Sequence, residues 1–436
     1  MMIIFTTLAN VFIQNGFNSA LIRDKEVKEE DYSSVFWVSL GIAVLLYIVL
    51  FFAAPAIAVF FEMGDMVQPF RFLALMLLPG ALNSVQLAKV SREMDFKKIF
   101  YSNVVAIVIS GVTGILLALN GAGIWALVIQ NVLNSLIAAV VMLFTVKWYP
   151  VFVCNFKRIG ELFSFGWKIL VSGLLDMLYQ DIRSLVIGKK YNSETLGYYN
   201  RGKQFPQFII NAVNGAVQSV MLPALAEKQD NMKQMKKLTR NSIMLSAYII
   251  FPMMAGLAGV SAPLITLLLT DKWLPSVPYM QIYCFSLAFY PVHSCNLQAI
   301  NAMGRSDLFL KLEIIKKSYG MAMLVIAVFF FESPIAIAMT GVFSALISSV
   351  VNAAPNKKLI DYSYMEQMKD ILPTFFASFV MLAAVLAVGT LPFPVIAILA
   401  LQILVGIGVY LAVSVIIKIE PFYLLLDIIK KKKNQG

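Results

Sequence analysis

The sequence predicts an all-α, polytopic transmembrane protein. Hydrophobic residues make up 60% of its 436 residues and charged residues only 14%, whereas a soluble domain is about half apolar and a quarter charged. Apolar runs recur along the chain, and each is long enough to cross about 30 Å of hydrocarbon as a helix. Because these runs are continuously apolar rather than alternating, helices are favoured over a barrel.

The apolar runs predict a partial helix at residues 1–14 and then a series of complete spans. The chain is therefore expected to begin inside a helix, since the first run is short for a span and lacks the basic flank of a signal peptide. The loop at 15–34, with the acidic stretch Asp24–Asp31, is predicted to be solvated. The complete spans are expected near 35–60, 67–88, 99–119, 123–145, 163–187, 199–222, 242–269, 277–301, 309–331, 334–353, 371–390 and 394–417.

Basic residues fall mainly in every second loop. Loops 61–66 and 120–122 carry none, whereas the loops on either side of each are basic. The positive-inside rule places the basic loops and the C-terminus in the cytoplasm, so a multi-pass topology in a cytoplasmic membrane is expected. Lys189 and Lys190, on the predicted outer side, are the exception. The net charge of +11 thus indicates contact with membrane lipids, including the Lys430–Lys433 run, and no nucleic-acid partner.

An internal repeat organises the chain. Residues 79–96 align without gaps on residues 291–308, and the alignment matches Gln86 with Gln298. An even number of predicted spans separates the two copies, so the repeat is parallel and relates two halves by an axis along the membrane normal.

The repeat predicts two bundles of six to seven helices around a central cavity. We expect an N-terminal lobe at residues 1–150 and a C-terminal lobe at 151–360. Residues 361–436 would add two further helices and a basic cytoplasmic tail. The span at 163–187 should have a partner before Met1, so the natural protein is expected to have about fourteen spans, with the first and part of the second lacking here.

Ionisable residues inside predicted spans are candidates for function because they are costly in hydrocarbon. The span at 163–187 contains four, and Arg201 and Lys203 open the next span, where Gln204, Gln207, Asn211, Asn214 and Gln218 follow. The charged and amide residues of these two spans fit a water-filled cavity, in which arginine would bind an anionic, phosphate-bearing substrate. Interhelical ion pairs and snorkelling anchors are the alternatives. The four in span 163–187 are Lys168, Asp176, Asp181 and Arg183, with Asp176, Tyr179 and Arg183 on one helical face.

Two further lysines, Lys316 and Lys317, lie about one turn inside another span. They are interpreted either as snorkelling to the headgroups or as an inner cavity mouth that meets the substrate. His293 is interpreted as a packed residue or a proton relay. Asp176 and Asp181 are candidates for a coupling ion. The three cysteines and single histidine suggest no metal site, and neither a nucleotide-binding loop nor any other cofactor or catalytic signature is present.

Four stretches resemble the polysaccharide transporter family, also called the oligosaccharide flippases, of the multidrug/oligosaccharidyl-lipid/polysaccharide exporter superfamily. The resemblance implies alternating access and transport of an oligosaccharide linked to undecaprenyl diphosphate, for O antigen, capsule or exopolysaccharide. It also implies a cationic cavity, carried here onto Lys168, Arg183, Arg201 and Lys203, and polymerase and chain-length proteins as partners. The stretches are GFNSALIRDKEVKEEDYSSVFW (16–37), FGWKILVSGLLDMLYQDIRSLVIGKKYNSETLGYYNRGKQFPQF (165–208), LTDKWLPSVPYMQI (269–282) and NAMGRSDLFLKLEIIKK (301–317).

Two other functions stay open at this point. A cation-coupled multidrug/toxin antiporter would use Asp176 or Asp181 to bind its ion. A membrane polysaccharide polymerase or ligase is a more distant alternative, because the outer loops are short and lack a carboxylate or histidine cluster. The sequence therefore predicts a transporter and not an enzyme.

Overall fold

The computed structural model describes residues 2–23, 27–93, 95–228 and 231–433. The side chains of some helical residues, Lys168 and Asp176 among them, lie outside the described part. Every regular element within these ranges is helical, which confirms the all-α class. The chain divides into two compact units, Met1–Lys189 and Lys190–Gly436.

The first unit contains seven described helices, with 3-10 turns at Gly64–Met66 and Ala74–Met76. The seventh helix ends one residue into the second unit. The helices are α1 (Met2–Arg23), α2 (Glu29–Phe60), α3 (Val67–Leu73), α4 (Leu77–Glu93), α5 (Phe96–Leu119), α6 (Ile124–Val146) and α7 (Phe156–Lys190).

The second unit contains eleven described helices and a 3-10 segment, Asp271–Ser276. Its largest core cluster is centred on Met254, Met280 and Cys284. The helices are α8 (Ser193–Glu227), α9 (Met232–Gly259), α10 (Ser261–Leu269), α11 (Val277–Ala288), α12 (Tyr290–Ala302), α13 (Ser306–Phe330), α14 (Pro334–Ala353), α15 (Asn356–Leu359), α16 (Tyr364–Val388), α17 (Val395–Ile416) and α18 (Glu420–Lys433).

Eight helical segments in the described part are long and apolar enough to cross a membrane. This confirms a polytopic membrane protein. Other predicted spans are more polar or broken: 277–301 consists of α11 and α12, and 309–331 lies in the charged helix α13. The eight are Glu29–Phe60, Gly64–Glu93, Lys97–Leu119, Ile124–Val146, Met232–Gly259, Pro334–Leu359, Tyr364–Val388 and Val395–Ile416.

The start of the chain differs from the prediction in two ways. Helix α1 continues to Arg23 and α2 begins at Glu29, because helical hydrogen bonding and packing continue beyond the apolar run. Leu21 is fully buried in a cluster beneath α2. The prediction of a solvated acidic loop is also wrong for Asp31, because this residue is only 5% exposed. Its carboxylate accepts the Lys28 backbone N–H at 2.9 Å and so caps the first turn of α2.

The helices pack in corresponding patterns within each unit, in agreement with an internal repeat. In the first unit α4 packs against α1, α2 and α6, and α5 pairs with α6. In the second unit α12 packs against α8, α9 and α14, and α13 pairs with α14. Residues 79–96 begin in α4 and residues 291–308 begin in α12, so the aligned segments occupy equivalent positions. The predicted boundaries at 150 and 360 stay a prediction.

Loops predicted on the cytoplasmic side contact one another within each unit. In the first unit Lys89 Nζ lies 2.5 Å from Glu29, and Trp37 Nε1 donates to the Val151 carbonyl at 2.9 Å. In the second unit Lys236 lies 3.2 Å from Glu366. Each unit therefore gathers its basic loops at one end.

In the second unit a single arginine joins three helices at that end. Arg240 of α9 donates to both Asp370 oxygens of α16 at 3.0 Å and to both Glu420 oxygens of α18 at 2.9 and 2.8 Å. Hydrogen bonds from the guanidinium hold the pKa of Glu420 below its usual range. The forked geometry of arginine matches two carboxylates at once, so this contact fixes the final helix against α9.

The two lysines that broke the charge alternation have partners at the opposite end of their units. Lys189 lies 3.3 Å from Glu62. Lys190 donates to the carbonyls of Val328 and Phe331 at the C-terminus of α13. An ammonium group stabilises a helix C-terminus, where carbonyls lack helical partners. Both ammonium groups therefore have local partners, a carboxylate for Lys189 and helix-terminal carbonyls for Lys190.

Two prolines inside spans each leave a carbonyl without its helical donor, and a neighbouring helix supplies one. Pro55 cannot bond to the carbonyl of Phe51, which instead accepts from Arg71 Nε at 3.1 Å. Pro252 cannot bond to the carbonyl of Tyr248, and Tyr410 Oη donates to it at 2.7 Å. Because hydrocarbon offers no water to replace a missing donor, these side chains complete the helices.

Tyr410→Phe is expected to lower the free energy of unfolding by about 2 kcal/mol, because it leaves a buried carbonyl unpaired. In a Pro252→Ala background, residue 252 supplies the N–H and the same substitution should have less than half that effect. Thermal unfolding of the four proteins of this cycle in detergent measures the coupling. Equal effects of Tyr410→Phe in both backgrounds would contradict the assignment.

Candidate functional site

The predicted cluster on α7 is described only in part. Arg183 is buried, 8% exposed, and its guanidinium carbon lies 5.6 Å from the centre of the Tyr179 ring. The predicted shared face of these two residues is therefore present. Asp181 is half-buried, and the side chains of Lys168 and Asp176 lie outside the described residues. Burial of Arg183 is consistent with the alternative that it stabilises the helix packing.

Helix α8 carries the other predicted basic pair, and its first turn is fixed by a cap. Asn192 accepts the Thr195 backbone N–H at 2.7 Å. Two turns later Gly202 lies against the start of α11, where a Cβ atom would meet Tyr279 Cβ at 2.6 Å and the Ser276 carbonyl at 2.8 Å. This close approach needs glycine and sets the position of the residues on either side of it.

A tyrosine cluster holds the same part of α8 on α11. Tyr199 is fully buried and its hydroxyl is hydrogen-bonded to that of Tyr283. Its ring also meets Tyr279 edge-on, with centroids 5.7 Å apart. Aromatic pairs of this kind contribute beyond their buried area, so the inner face of α8 is rigidly attached.

Polar side chains occupy an exposed face of α8. Arg201 is exposed, donates to Gln204 Oε1 at 2.7 Å, and its guanidinium carbon lies 5.5 Å from the centre of the Trp273 ring. Further along, Gln207 Nε2 donates to Asn211 Oδ1 at 2.9 Å. We call Arg201, Gln204, Gln207 and Asn211 the α8 stripe. Lys203, half-buried, lies near its N-terminal end.

Other amides of the second unit bond between helices instead. Asn214, one turn beyond the stripe, accepts from Ser294 of α12 at 2.6 Å. Asn296 donates to Gln367 of α16 at 2.7 Å and accepts from Asn356 of α15 at 2.6 Å. These amides hold helices together, whereas the two described hydrogen bonds of the α8 stripe stay within one helix.

Two charges on α13 form an ion pair. Lys316 forms an ion pair with Glu313 one turn before it, and the two side chains are 14% and 23% exposed. Lys317 is half-buried. His293 packs edge-on against Tyr290, with ring centroids 6.3 Å apart. Lys316 is therefore held by a neighbouring carboxylate of the same helix.

Within the described ranges, no group of three or more His, Cys, Asp or Glu residues could hold a metal ion. The thiols of Cys284 and Cys295 are buried, and that of Cys154 is exposed in the segment between α6 and α7. Two side chains with a role in the structure were not predicted from the sequence. Trp273 belongs to the candidate site, and Arg71 completes the helix around Pro55. The sequence signal for Arg71 was its charge inside an apolar segment, together with the proline at position 55 in the preceding span. For Trp273 there was no such signal, because no spacing rule links it to Arg201.

Comparison with known proteins gives a family and a fold. A family model described as "Polysaccharide biosynthesis protein" matches residues 1–278. The chain is 28% identical over 309 residues to the teichuronic acid biosynthesis protein TuaB of Bacillus subtilis, covering 70% of this chain and 63% of TuaB. It is 23% identical over 271 residues to the succinoglycan biosynthesis transport protein ExoT of Rhizobium meliloti, covering 62% and 55%. The chain thus spans less than two thirds of these relatives.

Among solved structures, the fold is similar to that of the lipid II flippase MurJ in an inward closed conformation. The TM-score is 0.75, the sequence identity is 15%, and the match covers 95% of this chain and 96% of MurJ. At this identity the similarity shows a common fold, which agrees with the helical membrane architecture.

Gly202→Ala is expected to lower the free energy of unfolding by about 2 kcal/mol, since its Cβ has no room against α11. Gly41→Ala is the matched control, because a Cβ atom on Gly41 of α2 would meet nothing within 4 Å and alanine favours a helix. Thermal unfolding in detergent compares the two. Similar midpoints for both variants would show that α8 does not depend on this close approach.

Proposed function

Because the chain belongs to the polysaccharide biosynthesis protein family, we propose that it is a flippase for oligosaccharide linked to undecaprenyl diphosphate. It would carry this lipid across the cytoplasmic membrane by alternating access, for the synthesis of O antigen, capsule or exopolysaccharide. The observation that supports this most directly is the α8 stripe, an exposed polar face on a helix that the sequence places within the membrane.

Exposed amides and a guanidinium are unfavourable against lipid, since hydrocarbon offers no hydrogen bonds. In the described part of the chain the hydrogen bonds of the three stripe amides stay on α8, so these amides do not attach the helix to its neighbours. Such a face is stable at membrane depth when it meets water or a polar substrate. A sugar headgroup is a polar substrate of this kind, and its lipid tail can stay in the bilayer.

The site proposal assigns the anionic part of the substrate to the basic residues. Arg201 and Lys203 would bind pyrophosphate oxygens, for which a planar guanidinium is suited. The proposal keeps Lys168, Asp176, Tyr179 and Arg183 of α7 as further lining residues. Lys316 and Lys317 would act at the cytoplasmic mouth, and Asp176 or Asp181 would bind a coupling ion.

Several comparisons support transport rather than catalysis. ExoT is named as a transport protein, and MurJ, whose fold is shared, is a lipid II flippase. We therefore propose a function without covalent chemistry. Membrane lipids and the lipid-linked oligosaccharide are its expected partners, together with polysaccharide polymerase and chain-length proteins. The predicted lobes, 1–150 and 151–360 with the additional helices at 361–436, would be the moving parts.

Loss of this protein should make undecaprenyl-diphosphate-linked oligosaccharide accumulate in the cytoplasmic leaflet. In vesicles, the Arg201→Ala, Lys203→Ala double variant should flip this lipid about tenfold more slowly, because charge-assisted hydrogen bonds are lost. Arg305→Ala is the matched control, since Arg305 is exposed and pairs at 2.8 Å with Asp307 in the first turn of α13. An unchanged rate in the double variant would remove the site assignment. Dye resistance without a polysaccharide defect would instead identify an antiporter.

The proposed orientation puts the segment between α6 and α7 in the cytoplasm. Cys154 there is exposed, while Cys284 and Cys295 are buried, so a membrane-impermeant maleimide should label inverted vesicles and leave intact cells unlabelled. Cys154→Ser should abolish this signal. Lys272→Cys in that background, an exposed position on the predicted outer side, should label intact cells. The reverse pattern would invert the topology.

A further inference from the structure

We propose that the amides of the α8 stripe read the sugar part of the transported lipid, separately from its pyrophosphate. This inference rests on the proposed function and adds to it the residues that set which glycan headgroup is accepted. They are Gln204, Gln207 and Asn211.

The three amides share one side of α8. At 100° per residue, positions 204, 207 and 211 fall within an arc of about 60°. Seven residues separate the first from the last, which is about 10 Å along the axis and comparable with the length of two pyranose rings. Gln204 and Asn211 are exposed and Gln207 is half-buried. The amides therefore form a polar row of the size of a small saccharide, and the exposed ring of Phe208 lies beside it.

The chemistry of this row fits hydroxyl groups better than phosphate. A sugar hydroxyl both donates and accepts, and so does a carboxamide, whereas phosphate oxygens at neutral pH mainly accept. Gln204 uses its oxygen for Arg201, which leaves its NH2 group for a ligand. The Gln207–Asn211 bond uses one N–H of Gln207 and the oxygen of Asn211. Among the described side chains no other bond engages the Gln207 oxygen or the Asn211 NH2 group.

Arg201 marks the other end of the stripe and is held in place before any ligand binds. Its guanidinium lies over Trp273 and bonds to Gln204. Trp273 is itself fixed by an edge-on contact with Tyr198, with centroids 5.9 Å apart, and it packs close to Gly197, where a Cβ atom would lie 3.8 Å from its ring. Trp273 is thus a positioning residue for a cation. A charged end and an uncharged row match a ligand with a pyrophosphate at one end and a neutral sugar beyond it.

The interhelical role that other amides have does not account for this row. Asn214 on the same helix bonds to Ser294 of α12, and Asn296 bonds to α15 and α16. The row has the same residue types, but within the described part of the chain its hydrogen bonds stay on α8. It differs from the other amides in being available to a ligand.

Binding of two lipids to the purified full chain in nanodiscs tests the inference. One probe is undecaprenyl diphosphate without sugar, and the other is the pool of undecaprenyl-diphosphate-linked oligosaccharide extracted from the host. The wild-type protein should bind the glycosylated pool about tenfold more tightly, the gain expected from two or three hydroxyl hydrogen bonds. In the Gln207→Ala, Asn211→Ala variant the two affinities should become equal, with that for undecaprenyl diphosphate unchanged.

Controls separate the possible failures. Asn214→Ala removes an interhelical amide from the same helix and should keep the tenfold preference even if it lowers stability. Arg201→Ala should weaken both probes equally. A preference that survives in the double variant, or in the exposed single variant Gln204→Ala if the double variant does not fold, overturns the sugar-reading row. Absence of binding of either probe by the wild-type protein overturns the proposed flippase function itself.

Discussion

The requirement that polar groups at membrane depth find partners inside the protein determines most of this structure. Pro252 removes the donor for the Tyr248 carbonyl, and Tyr410 supplies one from α17. Pro55 does the same to Phe51, and Arg71 supplies the donor. Water would fill such gaps in a soluble protein, whereas hydrocarbon cannot. The prolines therefore select which neighbouring side chains must be polar and where the helices must touch.

The same requirement separates the amides of the second unit into two groups, those bonded between helices and those exposed on α8. Asn296 and Gln367 bond to each other in the interior, so their polarity is explained by packing. Gln204 and Asn211 are exposed and, among the described residues, bond only along their own helix. Without a polar environment on that side, these exposed amides would destabilise the protein in the membrane, because hydrocarbon offers them no hydrogen bonds. The proposed function is the explanation that removes this conflict.

The sequence was sufficient for the features that depend on composition and order. Continuous apolar runs predicted helices, and the alignment of Gln86 with Gln298 predicted equivalent packing of α4 and α12. It was insufficient where a third helix decides the outcome. Residues 15–23 looked like a loop because polar residues interrupt the apolar run there, yet Leu21 is buried under α2. Asp31 looked solvated because its neighbours are charged, but its carboxylate lies 3.4 Å from Arg158 Nε of α7. Neither contact has a signature in local spacing.

For the candidate site, the sequence identified basic residues but could not show which of them is available to a substrate, because the role of an arginine depends on its partners in the fold. Arg240 is held by two carboxylates, and Arg183 is buried against Tyr179. Removing either from its surroundings to bind a substrate would leave charge or packing uncompensated. Arg201 is exposed and contacts only neutral groups, Gln204 and the Trp273 ring, among its described partners. It can exchange these weak contacts for an anion and return to them afterwards. A carrier needs a group of this kind, since a site that binds too tightly would not release its substrate on the other side.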